Sequence, residues 1–172
     1  MLRPTVRIDD DESDQLPHQP PDARWQSLTM HSNLVIACVL VGVTVIVHAS
    51  GLAVLLRVFM RSPTPMPKRF WPIVWLLIRL TLALILIHLS EIAVWAFFYL
   101  WTECLPNAES AFYFSGVTYT TIGYGDLVLP RPWRLLGPVE GLTGILMCGL
   151  STGLFVALLG RVIGGKVGDE PD

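Results

Sequence analysis

The chain has 172 residues, of which 52% are hydrophobic and only 15% are charged, and its formal net charge is −2. This composition is too apolar for an ordinary soluble domain and indicates a membrane protein in a lipid bilayer. The near-neutral charge argues against nucleic-acid binding. The sequence has no nucleophile–base pair and no zinc-ligand spacing, so we expect neither an enzyme nor a bound cofactor.

Residues 1–30 are predicted to form a disordered tail. They include six acidic residues, four of them in the run Asp9-Asp10-Asp11-Glu12, together with several prolines. A segment this polar cannot bury enough apolar surface to fold by itself. Its acidity also argues against a cleavable signal peptide.

Three apolar runs are long enough to cross a bilayer as helices. They extend from Leu34 to Leu56, from Trp71 to Trp101 and from Leu135 to Ile163. The piece from Cys104 to Trp133 is too short and too interrupted to cross. We predict that it enters and leaves on the same side as a re-entrant helix and loop, which is tolerated at membrane depth only inside protein or beside water. The predicted fold class is therefore an all-α membrane protein.

The first half of the re-entrant piece is predicted to be a short helix. Pro106 and Asn107 mark its start, with Asn107 as the N-cap. A helix over residues 108–119 would be about 18 Å long, roughly half the membrane. The negative end of its dipole would then favour a cation near the bilayer centre. Three bulky aromatic residues in this helix are expected either to form a cuff around the following loop or to pack in the core: Phe112, Tyr113 and Phe114.

The loop after this helix reads Thr-Thr-Ile-Gly-Tyr-Gly-Asp over residues 120–126. Gly123 and Gly125 are spaced so that alternate residues can leave the usual φ range. In an ordinary strand, successive carbonyl groups point to opposite sides. In this loop they would all point to one side, where their oxygens could replace the water around a cation. Gly-Tyr-Gly-Asp is also a common turn sequence, and the apolar spans on both sides favour the pore interpretation.

The stretch from Thr118 to Asp126 resembles the selectivity filter of the P-loop potassium channel superfamily. Residues 70–163 are similar to its pore domain, especially that of small bacterial channels with one pore loop per chain. The resemblance implies an outer helix, a pore helix, a filter and an inner helix, four copies in a homotetramer, and passive K⁺ conduction. It implies that K⁺ binds backbone carbonyls of the filter, whose residues are Thr121, Ile122, Gly123, Tyr124 and Gly125. It implies supporting roles for Thr118, Thr120, Asp126, Tyr113 and Phe114.

The sequence departs from the family pattern in several places. Where some members have a glutamate behind the filter, this chain reads Ser115-Gly116-Val117, and Tyr113 and Phe114 replace paired tryptophans. The first span has no arginine repeat of a voltage sensor. We expect no soluble regulatory domain after the third span, where residues 164–172 form a short tail.

The distribution of basic residues predicts the orientation. Basic residues fill the linker within residues 31–69 and follow the third span: Arg57, Arg61, Lys68, Arg69, Arg161 and Lys166. The positive-inside rule places this linker and the C-terminus in the cytoplasm, and the N-terminal tail and filter mouth outside the plasma membrane. Tryptophans are expected to mark the inner interface at Trp71 and Trp75 and the outer one at Trp95, Trp101 and Trp133.

Two glutamates inside the spans need polar partners. We expect Glu91 and Glu140 to lie at the depth of the short helix and to brace the filter through hydrogen bonds. A local contact between His88 and Glu91 is the alternative. His48 in the first span is either a pH sensor or a packed neutral histidine.

Glycines in the third span allow two interpretations. Gly149 and Gly153 have the spacing that permits close helix contact. The same helix could bend at Gly144, Gly149 or Gly153 to open and close a pore. Cys104, just beyond the second span, is either a free thiol or a partner for its copy in another subunit.

Two other functions are compatible with parts of this pattern. One is a non-conducting or weakly selective tetrameric membrane sensor or scaffold, which would not need the glycine spacing of the loop. The other is a subunit of a potassium transporter, although such transporters resemble four fused units with degraded filters.

Overall fold

The structure, a computed structural model, describes residues 23–61 and 70–164. Predictions for residues 1–22, for Lys68 and Arg69, and for the tail after residue 164 lie outside the described residues. The described elements are α1 (Ala23–Arg61), α2 (Phe70–Trp101), α3 (Ala108–Tyr119), a single 3₁₀ turn (Arg131–Trp133) and α4 (Leu136–Gly164).

The three predicted spans are confirmed as helices α1, α2 and α4. Three stretches of about 30 residues are long and apolar enough to cross a membrane: His31–Arg61 in α1, Trp71–Trp101 in α2, and Arg131–Gly160, which includes the 3₁₀ turn and most of α4. At 1.5 Å per residue such stretches measure about 45 Å, more than the hydrocarbon thickness of a bilayer. The fold is therefore all-helical and compatible with a membrane ion channel.

Helix α1 begins earlier than the sequence predicts. It starts at Ala23, so the predicted boundary of the disordered tail at residue 30 is wrong for residues 23–30. The reason is local composition: this segment has no proline or glycine and a single charged residue, Arg24. It therefore continues the apolar helix toward its N-terminus instead of interrupting it.

The short helix α3 has the predicted limits and the predicted cap. The Asn107 side-chain oxygen accepts a hydrogen bond from the Ser110 amide at 2.8 Å. This bond satisfies one of the amides that a helix N-terminus leaves without an intrahelical partner. Upstream, α2 ends at Trp101, and Glu103 follows in a left-handed conformation with φ of +53°. The sharp turn between the two helices thus reverses the chain.

Helix α3 packs between α2 and α4, and α1 packs along α2 and α4. One face of α1 carries the contact, with buried positions spaced by three or four residues. Its members are Asn33, Ala37, Leu40, Thr44 and His48. Toward the N-terminal end of this face, the Asn33 amide donates to the Pro132 carbonyl in the 3₁₀ turn.

The largest buried side chains lie where α2 meets α1 and α3. Trp95 and Tyr99 are fully buried, and Trp95 Nε1 donates to Thr44 Oγ1 at 3.0 Å. The prediction that Trp95 marks the outer membrane interface is therefore wrong. A hydroxyl from the neighbouring helix satisfies the indole nitrogen, so this tryptophan can lie in the core.

Cys104 is a free, buried thiol in the single chain. Its Sγ atom lies 2.9 Å from Thr102 Oγ1. The thiol thus packs within its own chain, while the alternative of pairing between copies stays a prediction.

Candidate functional site

The loop after α3 alternates between two backbone conformations. Thr121, Gly123 and Gly125 have positive φ values of +61°, +58° and +79°. Reversing φ at every second residue lets successive carbonyl groups point to one side, which an ordinary strand cannot do. Positive φ is predictable from residue type for the two glycines but not for Thr121, since threonine rarely adopts it.

This loop lies on the surface of the single chain. Ile122 and Tyr124 are 55% and 68% exposed. The alternating backbone of the loop is therefore formed within one chain and lies at its surface.

The last turn of α3 holds the beginning of the loop. The Val117 carbonyl accepts hydrogen bonds from the amides of Ile122 at 3.0 Å and Gly123 at 3.3 Å. These bonds use helix-end carbonyls that would otherwise lack partners. Two shorter-range bonds accompany them: Thr121 N to Thr118 O at 2.9 Å, and Thr120 Oγ1 to Gly116 O at 2.6 Å.

The far end of the loop is tied to α3 by side chains. The Tyr113 hydroxyl donates to the Asp126 carboxylate at 2.7 Å. Asp126 also accepts from the Leu127 amide at 3.0 Å. The bond from Tyr113 is the main reason that the pKa of Asp126 lies below its usual value, because a donor stabilises the charged carboxylate.

The three aromatic residues of α3 do not form a cuff within one chain. Phe114 packs edge-to-face against Tyr99, with ring centroids 5.3 Å apart. Phe112 and Tyr113 are 47% and 40% exposed. Phe114 is thus a core-packing residue. A cuff around Tyr124 would have to include aromatic residues of neighbouring copies.

Glu140 supplies a buried carboxylate behind α3. It is fully buried and accepts a hydrogen bond from the Tyr99 hydroxyl at 2.7 Å. The Ser115 hydroxyl lies within hydrogen-bond distance of Glu140 and of the Ile92 carbonyl. A carboxylate from α4 thus lies against α3, which has no glutamate in its Ser115-Gly116-Val117 stretch. The polar residues Tyr99 and Ser115, both inside apolar segments, were the sequence signal for this cluster.

Glu91 forms a second buried cluster at the end of α3. One carboxylate oxygen lies 2.6 Å from His48 Nδ1, and the other accepts a hydrogen bond from the Tyr119 hydroxyl. His88 Nδ1 lies 3.5 Å from the same carboxylate and 3.0 Å from the Tyr119 oxygen. Glu91 thus contacts both α3 and the local histidine, while its bracing of the filter stays a prediction.

The glycines of α4 fall into two groups. A Cβ atom on Gly144 would overlap the Tyr119 carbonyl, and one on Gly141 would also lie close to the end of α3. Gly149 and Gly153 have no neighbour within 4 Å of an added Cβ. Gly144 is therefore a packing position, whereas the other two candidate hinge residues face open space.

Residues 85–161 match the family model described as ion channel. The match supports an ion channel family. It includes the second half of α2, all of α3, the loop and nearly all of α4, and it leaves α1 outside. Together with the three apolar helices it indicates a multi-pass membrane protein that moves ions. No curated protein and no solved structure matches the chain.

Proposed function

We propose that the chain is a potassium-selective channel that conducts K⁺ passively through a homotetrameric pore in the plasma membrane. Alternating φ at Thr121, Gly123 and Gly125 is the observation that supports it. Carbonyl oxygens aligned in this way replace the hydration shell of K⁺. A single loop offers one wall of oxygens, so a dehydrated ion needs several copies around it.

In this proposal α3 is a re-entrant pore helix and α4 lines the inner cavity. The rungs are the carbonyls of Thr121, Ile122, Gly123 and Tyr124, with the Thr121 hydroxyl as the innermost ligand. The exposed surface around Ile122 and Tyr124 would be covered by adjacent subunits. The N-terminal tail and the filter mouth face outward, and the linker after α1 and the C-terminus face the cytoplasm.

Glu91 and Glu140 brace the filter from behind in this arrangement. Glu140 holds the middle of α3 through Ser115, and Glu91 holds its last residue through Tyr119. Both carboxylates are fully buried, so a hydrogen bond to either is little weakened by water. The pore helix is thereby fixed at two points on the side away from the filter.

Reconstitution tests the proposed function directly. The purified protein in planar bilayers with mixed K⁺ and Na⁺ should give a reversal potential close to the K⁺ equilibrium potential. A reversal potential between the K⁺ and Na⁺ equilibrium potentials would indicate a weakly selective pore. Absence of current, together with a stable tetramer, would instead favour a non-conducting sensor or scaffold.

The hydrogen bond between Tyr113 and Asp126 predicts a pH effect on conduction. Since the pKa of Asp126 is lowered, its contribution to filter stability is complete above the usual aspartate range and is lost as pH falls through the lowered value. Tyr113→Phe should raise that pKa, so K⁺ flux should fail at a higher external pH than in the unaltered protein. Flux from proteoliposomes over an acid titration measures both midpoints, and identical midpoints would contradict the assigned bond.

The open face of α4 predicts a gating effect at Gly149. Alanine there removes backbone freedom without a steric conflict. If α4 bends at this residue, Gly149→Ala should lower the open probability and leave the K⁺/Na⁺ selectivity unchanged. Single-channel recordings with unaltered open and closed times would reject a hinge at this position.

A further inference from the structure

Three potential metal ligands converge where α1, α2 and the end of α3 meet. One nitrogen each of His48 and His88 and one carboxylate oxygen of Glu91 all lie within 4.8 Å of one another. His88 and Glu91 are one helical turn apart on α2, and His48 comes from α1. His48 and Glu91 are 2% and 0% exposed, while His88 at 19% is the open side of the cluster.

The cluster lacks an evident positive charge for its carboxylate. Within residues 23–61 and 70–164, the ion-pair partners of Glu91 are the two imidazoles, which are charged only when protonated. The His48 Nε2 atom is also buried without a hydrogen-bond partner among these residues. A carboxylate buried in an apolar span is costly unless a cation compensates it.

Either a proton or a metal ion can supply this charge, and the geometry favours the metal. Three potential ligand atoms from two helices converge on one point, and a metal ion there would replace the contact of 3.0 Å between His88 Nδ1 and the Tyr119 oxygen. We propose that His48, His88 and Glu91 bind a divalent transition metal ion of the Zn²⁺ class. Two neutral imidazoles and a carboxylate are a donor set that Zn²⁺ accepts.

The measured separations are close to those of such a site. Zinc bonds of about 2.0–2.2 Å place tetrahedral ligands about 3.3 Å apart. The His88 Nδ1 to Glu91 Oε2 distance is 3.5 Å, whereas His48 Nδ1 lies only 2.6 Å from Oε1. Binding therefore requires His48 Nδ1 to move away from Glu91 Oε1 by roughly 0.7 Å, and a water molecule can occupy the remaining tetrahedral position.

Tyr119 would orient the metal ligand. Its hydroxyl donates to Glu91, as outer-shell donors commonly do for a carboxylate ligand. A bound ion would thus connect α1, which lies outside the ion channel match, to the residue that precedes the filter loop. This inference concerns metal binding alone and holds whether or not the chain conducts K⁺.

Metal titration of the full-length, tag-free protein in detergent tests the proposal. After removal of metal with a chelator, isothermal titration with ZnCl₂ should show about one site per chain. His88→Gln and Glu91→Gln should each weaken binding at least about tenfold. Replacing both other histidines, in His18→Ala/His31→Ala, is the matched control and should leave affinity unchanged.

A measurement on the unaltered protein keeps the test independent of variant folding. Co²⁺ in place of Zn²⁺ should give the intense visible absorption of a four-coordinate site, and Zn²⁺ should abolish it. If no Co²⁺ spectrum develops, or if the double histidine control loses binding while His88→Gln retains it, the proposal is wrong. The cluster would then be a hydrogen-bonded network without a metal ion.

Discussion

Gly123→Ala is expected to abolish K⁺ flux while leaving the protein folded. Gly123 has φ of +58°, and a side chain in this region costs roughly 1–2 kcal/mol per residue. Four copies around the proposed axis would concentrate about 4–8 kcal/mol of strain in one ring of the filter. The loop can relieve that strain by rotating the peptide, which turns a carbonyl oxygen away from the ion.

The effect should be local, because space is not limiting at this position. A Cβ atom on Gly123 would meet no heavy atom within 4 Å in the single chain. The expected loss therefore arises from backbone conformation and not from collision. Circular dichroism and size-exclusion chromatography should show unchanged helix content and assembly, while a K⁺-sensitive dye reports no flux from proteoliposomes.

Gly42→Ala is the matched control for this prediction. Gly42 is inside α1, also has no neighbour within 4 Å of an added Cβ, and has no positive φ. Alanine in a helix interior is favoured over glycine by about 1 kcal/mol, so this variant should conduct normally. If Gly123→Ala conducts K⁺ with its selectivity intact, the aligned carbonyls are not the conducting element.

The helices were predictable because their signals are local. Uninterrupted apolar runs set the limits of α2 and α4 to within a residue, and the Asn107 cap fixed the start of α3. The start of α1 was missed because the acidic, proline-rich composition of residues 1–22 was extended too far along the chain. A disorder signal averaged over thirty residues conceals a helical segment at its end.

The candidate site was predictable only where backbone geometry is encoded by residue type. The residue type of Gly123 and Gly125 indicates a positive φ. Thr121 also has a positive φ, because it belongs to the same alternating loop, and its residue type does not indicate it. Partners such as Glu140 and Ser115 are 25 residues apart in sequence. Their contact depends on how α4 packs on α3, which hydrophobic periodicity does not specify. The same is true of Thr44 and Trp95, which join α1 to α2.

Gly144→Ala is expected to destabilise the packing of α4 against α3. An added Cβ would overlap the carbonyl oxygen of Tyr119 and lie 2.9 Å from its carbonyl carbon. Backbone atoms cannot rotate away as a side chain can, so α4 must move away from the end of α3. Overpacking of this kind typically costs about 1–3 kcal/mol, more than the gain of about 1 kcal/mol from placing alanine in a helix.

The predicted displacement lies directly behind the proposed filter. Tyr119 is the last residue of α3, and its hydroxyl donates to Glu91. Moving α4 at this point should therefore lower both the melting temperature in detergent and the K⁺ flux. Gly149→Ala is the control for stability: it lies on the same helix, and an added Cβ has no neighbour within 4 Å. Its melting temperature should be unchanged or raised. Equal melting temperatures for Gly144→Ala and the unaltered protein would mean that α4 and the end of α3 are not in close contact, and the position of the filter would then have to depend on Glu91 and Glu140 alone.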